Sequence, residues 1–375
     1  MGGWPADHHR SHGCRQAAEG ICWRRHARHG RHGRHDVSRN AQRFDAGSKA
    51  AGVFAENAES FDPASPIQGR LRQGPPFSFP PFQTTFPSRQ QETDMEKIGV
   101  IGLGRMGSAI ALRLHQQGYP VTGWTRSGRT VEGVAAAASI AALVADSDTL
   151  ILSLLDDTAV ASVLDACLAC DLGGKQIIET STVVPTILKD RIAAITSKGA
   201  TAVDAPISGG PELVAAGTCG VFIGGDDAAA SRAQSVIAGF SNRVFHVGPL
   251  GTGLVMKTIN NSMIQVYFAG LQDMMPLARR AGLSFETAMR IVAGGPAGTP
   301  MLIDRLPRVL GEDDSVGFST AAAYKDNDVF QRVARSFGLE APSVAHAAKG
   351  FEAALKAGIG EQDVATTIPL AYRQG

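Results

Sequence analysis

Three glycines, Gly102, Gly104 and Gly107, close an apolar run at residues 97–102 and open a stretch with helical periodicity. Strand, tight glycine turn, helix: that order leaves few architectures, because the chain must reverse sharply after a buried strand and lay a helix back across a sheet. The alternation continues downstream. Short apolar strands are predicted at 97–102, 121–125, 149–154, 176–180, 202–205, 220–223 and 244–247, separated by longer Ala-rich helical stretches. After Gly251 the strand signals stop. Residues 254–281 form one long, nearly Pro-free apolar-periodic stretch, and further helical pieces run to the C-terminus.

The pattern predicts an α/β fold, a Rossmann-type doubly wound sheet followed by an all-α C-terminal domain joined by a long helix. At ~150 residues per domain, 375 residues accommodate two domains and an extension. The extension is 1–94, rich in Gly, Arg, His, Pro and Ser and without sustained periodicity, which marks it as disordered or spurious. Character changes at Met95, where the sequence reads as a chain starting directly with a buried strand. A mitochondrial presequence is the rival for 1–94; many arginines favour it, while Asp7, Glu19, Asp36 and helix-breaking glycines oppose it. The expected domains are 95–252, binding the cofactor, and 253–375, helical, serving substrate and dimerisation.

Bulk properties exclude several classes. Formal net charge is +1, so no nucleic-acid partner is implied. No apolar run approaches the ~18 residues needed to cross a bilayer. Five cysteines at irregular spacing make no disulfide framework, which suits a reducing, cytoplasmic setting. The Cys167/Cys170 pair lacks a second pair for zinc, and His26, His29, His32 and His35 lie among glycines that deny them a rigid helix, so no metal is expected.

The residues Gly102-Leu103-Gly104-Arg105-Met106-Gly107 form a dinucleotide fingerprint in a credible context, after a strand and before a helix. Gly102 allows the tight turn, Gly104 lets backbone approach a pyrophosphate, and Gly107 permits close helix–strand packing. About twenty residues on, NAD enzymes carry an acid for the ribose 2′-hydroxyl. Here there is none; Trp124-Thr125-Arg126-Ser127-Gly128-Arg129 stands instead. An arginine with neighbouring hydroxyls at Thr125 and Ser127 suits a 2′-phosphate. NADP is the expected cofactor, with NAD the alternative.

Further motifs follow in order: Ser181-Thr182 with Pro185, Asp204-Ala205-Pro206-Ile207-Ser208-Gly209-Gly210, Gly253 with Lys257, Asn260-Asn261, and Lys325-Asp326. With these, the chain from Met95 to its end resembles the β-hydroxyacid dehydrogenase family, which includes 3-hydroxyisobutyrate dehydrogenase, tartronate semialdehyde reductase and the glyoxylate/succinic semialdehyde reductases. The resemblance implies that Ser208, Gly209 and Gly210 hold a substrate acid group, that Thr182 and Lys325 contact the cofactor, and that Phe318 is a pocket wall. It also implies a small carboxylate-bearing carbonyl or hydroxy acid as substrate. Chemistry supports the same residues. A hydroxyl and two free amides past a strand end form an anion nest. Lys257 and Asn261, four apart on a helix, share one face. An ammonium in an apolar stretch can stabilise and protonate an alkoxide as hydride arrives, and Asn261 would position the substrate carboxylate or the lysine.

Two departures stand out: Pro211 after the glycine pair, and Thr125 where the family usually has Asn or Asp. Trp124 and Tyr324 bear either on specificity or on packing. The rival activity is imine reduction on the same fold, opposed by Lys257 and the carboxylate nest. A rival of another class is a non-catalytic dehydrogenase-like module. A long apolar helix also predicts a homodimer or homotetramer.

Overall fold

The computed structural model describes residues 95–375. The expectations for 1–94, including the histidine run, lie outside the described residues. Among the described residues one sheet is built from β1 (Ile98–Ile101), β2 (Val121–Trp124), β3 (Ala135–Ala136), β4 (Thr149–Leu152), β5 (Gln176–Glu179), β6 (Thr201–Asp204), β7 (Ile207–Ser208), β8 (Gly220–Gly224) and β9 (Arg243–Gly248). The order is β3-β2-β1-β4-β5-β6-β8-β7, with β9 on β8. Strands from β3 to β6 are parallel, whereas β8 runs antiparallel to β6 and β7.

The helices between strands are α1 (Arg105–Gln116), α2 (Ile140–Ala145), α3 (Asp157–Leu168), α4 (Thr186–Lys189), α5 (Ile192–Ser197), α6 (Pro211–Ala216) and α7 (Asp227–Ile237). After them come α8 (Thr252–Arg280), α9 (Phe285–Gly294), α10 (Pro300–Leu310), α11 (Thr320–Ser336), α12 (Pro342–Lys356) and α13 (Thr367–Gln374). All seven expected strands are present within a residue or two, and the long helix starts two residues earlier than expected. Two two-residue strands, β3 and β7, were not anticipated. Neither is long enough to produce a period-2 signal. The sheet is also not purely parallel, because the chain doubles back through β7 and β8 at the far edge.

Alternation along the strands sorts side chains onto two faces. Ile98, Val100, Ile151, Ile178 and Val203 pack with Ile110 and Leu114 of α1 and with Ala233 and Ile237 of α7. Ile101, Leu150, Leu152, Ile177 and Ala202 pack on the other face with Leu143 of α2, Val160 and Leu164 of α3 and Ile195 of α5. Each such fully buried aliphatic side chain stabilises the fold by ~1.5–3 kcal/mol relative to exposure, which is why the sheet interior is so regular. A third core forms around Phe268, Leu271 and Met275 of α8, with Met289, Leu302, Val309, Phe351 and Ile368.

The 29-residue helix α8 links these cores. Its N-cap, Gly251, has φ +93° and no capping side chain of its own. The Asp204 carboxylate at the end of β6 does the capping instead, accepting from Gly251 N–H at 2.5 Å and Leu254 N–H at 2.8 Å. Gly253 lets the helix lie directly on β8, since a Cβ there would run into the Phe222 carbonyl oxygen. No helix among the described residues is long and apolar enough to cross a membrane.

Candidate active site

The glycine turn sits where β1 ends. Gly102 has φ +99°, and a Cβ on it would strike the Ser153 carbonyl oxygen. A Cβ on Gly107 would strike the Gly102 carbonyl oxygen, so this glycine sets how closely α1 approaches the turn. Gly104 is different: nothing lies within 4 Å of where its Cβ would be. That open side, at the N-cap of α1 and without a capping side chain, leaves the first-turn amides of Arg105, Met106 and Gly107 available to an anion. The turn therefore fits a dinucleotide pyrophosphate. Leu103 is buried beneath it, and its carbonyl accepts from Ser108 Oγ at 3.0 Å and Arg129 Nη1 at 3.5 Å.

Thr125, Arg126 and Ser127 form the turn after β2, closed by Gly128 N–H to the Thr125 carbonyl at 3.1 Å. Thr125 is half-buried, while Arg126 and Ser127 are exposed. Arg129, to which the sequence reading gave no role, is the arginine that turns back to the glycine loop. Its proximity to Leu103 carries no periodic signal and could be found only from the loop's shape.

Ser208 lies past the end of β6 and closes β7, where Ile207 and Ser208 pair with Val221 and Gly220 of β8. Gly209 follows at φ +132°, and Gly210 is the N-cap of α6. Pro211 fits at the first helical position, where its missing N–H costs nothing. The Glu212 carboxyl folds back over Gly210 and also lies beside Gly317.

Lys257 is 7% exposed, and its Nζ donates to the Ile207 carbonyl at 2.8 Å, one residue before Ser208. Ser208 Oγ donates to Asn261 Oδ1 at 3.2 Å, and Asn260 Nδ2 donates to Ser208 Oγ at 3.1 Å and to Asn261 Oδ1 at 2.9 Å. The structure thus brings Lys257, Asn261 and Ser208 together, and adds Asn260 to them. Burial pushes the Lys257 ammonium below its ordinary proton affinity; Asp326 opposes that, Lys325 reinforces it, and Glu179 opposes it.

From the helical side, Lys325 Nζ donates to the Leu155 carbonyl at 3.2 Å and the Thr182 carbonyl at 3.3 Å, and pairs with buried Asp326 at 2.8 Å. Thr182 is itself nearly buried. At the opposite lip Arg105 donates to the Val316 carbonyl. Phe318, two residues on, packs against the helical core, with its N–H held by Asp363 at 3.0 Å. Trp124 packs on the sheet core and Tyr324 is 38% exposed. Among the described residues no group of three His, Cys, Asp or Glu is arranged to hold a metal.

Known proteins match this chain over both its sheet and its helical part. Residues 97–248 match the family described as the NAD binding domain of 6-phosphogluconate dehydrogenase, and 251–371 match that described as the NAD-binding of NADP-dependent 3-hydroxyisobutyrate dehydrogenase. The NAD-dependent L-serine dehydrogenase of Pseudomonas aeruginosa is 30% identical over 72% of this chain and 95% of its own length. A Mycobacterium tuberculosis 3-hydroxyisobutyrate dehydrogenase structure with L-serine superposes with a TM-score of 0.67 at 27% identity, over 74% of this chain and 99% of that one. An imine reductase from Myxococcus stipitatus, 21% identical, shares the fold with a TM-score of 0.51 over 73% of this chain and 99% of its own. Matched over both its sheet and its helical part, this chain is an oxidoreductase of the NAD(P)-dependent kind and belongs to the β-hydroxyacid dehydrogenase family.

Proposed function

We propose that the protein is an NADP-dependent oxidoreductase that interconverts a small 3-hydroxy acid and its semialdehyde, running as a reductase with NADPH. The observation that carries this reading is the buried Lys257 ammonium, tied to the Ile207 carbonyl beside the Ser208-Gly209-Gly210 turn. A dinucleotide whose pyrophosphate rests on the glycine turn would supply or accept the hydride through its nicotinamide ring. The Gly209 and Gly210 amides hold the substrate carboxylate, and the Ser208 hydroxyl, which accepts from Asn260 Nδ2 and donates to Asn261 Oδ1 without substrate, turns its proton from Asn261 to the carboxylate on binding. Lys257 stabilises the alkoxide as charge develops on the carbonyl oxygen and gives up a proton from Nζ to that oxygen. In the oxidative direction its neutral amine accepts the proton, which burial favours. Thr182 and Lys325 close on the cofactor side, and Phe318 supplies pocket wall.

The relatives support the substrate class. L-serine, named for the Pseudomonas enzyme and for the mycobacterial structure, is itself a 3-hydroxy acid. NADP is favoured by the absence of an acid after β2 and by Arg126 and Arg129 in that loop. An imine substrate has no carboxylate to occupy the Ser-Gly-Gly turn, and the likeness to the imine reductase is one of fold alone.

On this reading residues 95–252 carry the cofactor and residues 253–375 complete the pocket and join copies of the chain. Ile259, Met263, Met274 and Leu277 make an exposed apolar stripe along α8. With Val266 and Gly270 on the same arc, an antiparallel second copy would set Ile259 against Leu277 and Met263 against Met274, which supports a homodimer or a tetramer built from it. The free thiols of Cys167, Cys170 and Cys219 suit a reducing cytoplasm.

The test is nicotinamide oxidation with NADPH and NADH against glyoxylate, succinic, tartronate and methylmalonate semialdehydes and a cyclic imine. Turnover of tartronate or methylmalonate semialdehyde, the two that reduce to 3-hydroxy acids, is expected, preferentially with NADPH. Turnover of the imine alone would overturn the proposal.

A further inference from the structure

The sheet places two carboxyl groups side by side near Lys257. Glu179 ends β5 and Asp204 ends β6, and in the parallel ladder they are direct partners, so their side chains leave the same face. Asp204 is fully engaged in capping α8. Glu179 is only half engaged. Its Oε1 accepts from Ser181 N–H at 2.7 Å, in the turn that leads to Thr182, while its Oε2 is fully buried with no hydrogen-bond partner. Lys257 lies one turn beyond Leu254 on the helix that Asp204 caps. The charged groups that act on this set are Asp204 from β6 and Lys257 from α8 on Glu179, Lys189 from α4 on Asp204, and Asp326 and Lys325 from α11 on Lys257.

Hydride transfer and proton donation as described need no carboxyl at 179. A buried carboxyl with an orphan oxygen is costly when ionised and inexpensive when neutral. We propose that Glu179 is a positioning residue of the reaction: it is neutral in the resting site and becomes anionic as the solution turns alkaline, so holding the proton on the Lys257 ammonium where that proton would otherwise leave. This rests on Lys257 being the proton donor. Glu179 neither touches the substrate nor passes a proton; it acts through the field at Lys257.

The electrostatics agree in direction. Burial pushes Glu179 up to about 8, Ser181 opposes this, Asp204 adds to it and Lys257 opposes it. Burial pushes Lys257 down, and ionised Glu179 is among the groups that hold it up. The two titrations therefore move toward each other and are coupled. Loss of the proton from either group makes its loss from the other harder, because an anionic Glu179 favours the ammonium and a neutral Lys257 disfavours the carboxylate.

The experiment is the pH profile of reductive kcat/KM for wild type, Glu179→Gln, Glu179→Asp and Lys257→Ala, over roughly pH 5.5 to 9.5. Alongside it, the Lys257 side chain is titrated by carbon-13 lysine NMR, a readout that needs no substrate. Glu179→Gln should match wild type below about pH 7 and move the alkaline limb, and the Lys257 midpoint, to lower pH by about one unit, a tenfold loss on that limb. Glu179→Asp, which keeps an acid but withdraws it, should move both in the same direction by less. A limb and midpoint that stay put, or a loss equal at every pH as a purely structural role would give, overturns the inference. Retained turnover in Lys257→Ala would instead overturn the reading of Lys257 itself, and the NMR midpoints would still decide whether Glu179 governs the lysine.

Discussion

Replacing Glu179 by Gln should remove a pH dependence of stability rather than a fixed amount of it. Burial raises this carboxyl from 4.5 to about 8, so the folded protein binds the proton more tightly than the unfolded chain. Its contribution is fully present below the unfolded value, falls as pH rises, and is lost above about 8. Between those limits the slope is about 1.4 kcal/mol per pH unit, or about 4 kcal/mol between roughly pH 5 and pH 8. Asp204, raised from 3.8 to about 6 by burial against its backbone hydrogen bonds, contributes with the same sign but is present in both proteins. To first order it cancels in the difference. Thermal melts of wild type and Glu179→Gln at both pH values provide the assay. At ~2–4 °C per kcal/mol, the variant should gain on wild type by on the order of 10 °C between the acidic and alkaline measurements, whatever fixed offset the amide introduces. An equal Tm difference at the two pH values would refute the reasoning.

Lys257→Ala should lower kcat by roughly 10²–10⁴-fold while nicotinamide binding, followed by fluorescence, changes little; Lys257→Arg should rescue little, because a guanidinium keeps charge but hardly releases a proton. Arg126→Ala should raise KM for NADPH at least about tenfold more than KM for NADH, as expected for one lost charge-assisted pair; equal changes would remove Arg126 from the 2′-phosphate. Gly107→Ala forces a methyl against the Gly102 carbonyl oxygen and should cost about 1–3 kcal/mol in unfolding experiments together with nucleotide affinity. Gly104→Ala, which meets nothing within 4 Å, should weaken nucleotide binding with little change in Tm.

Much of this architecture is legible in the sequence because it is periodic or punctuated. The seven longer strands announce themselves as apolar runs, and α8 as a long helical stripe, since burial on one or both faces leaves a mark at every turn. The fingerprint glycines are legible because each answers a steric demand that no other residue meets. Lys257 and Asn261 share a face through their spacing on one helix, and the family resemblance adds Ser208 to them. What escaped has no local signature. The strand β7 is two residues long and exists only because β8 pairs with it. Asn260 enters the sequence reading only as part of the Asn260-Asn261 motif, without a role, yet its side chain reaches Ser208. Glu179 read as the end of an ordinary strand; its burial, its orphan oxygen and its neighbour Asp204 follow from sheet register, which couples residues twenty-five positions apart.

The sheet part and the helical part are joined by side chains that grip main chain: Arg105 on the Val316 carbonyl, Lys325 on the carbonyls of Leu155 and Thr182. A carbonyl is present whatever residue bears it. The side chains at 155 and 316 are therefore free to vary without undoing the closure, and Leu155, 73% exposed, has room to do so. Substitutions at 155 and 316 should leave both contacts in place, whereas removing the Arg105 guanidinium or the Lys325 ammonium should loosen them.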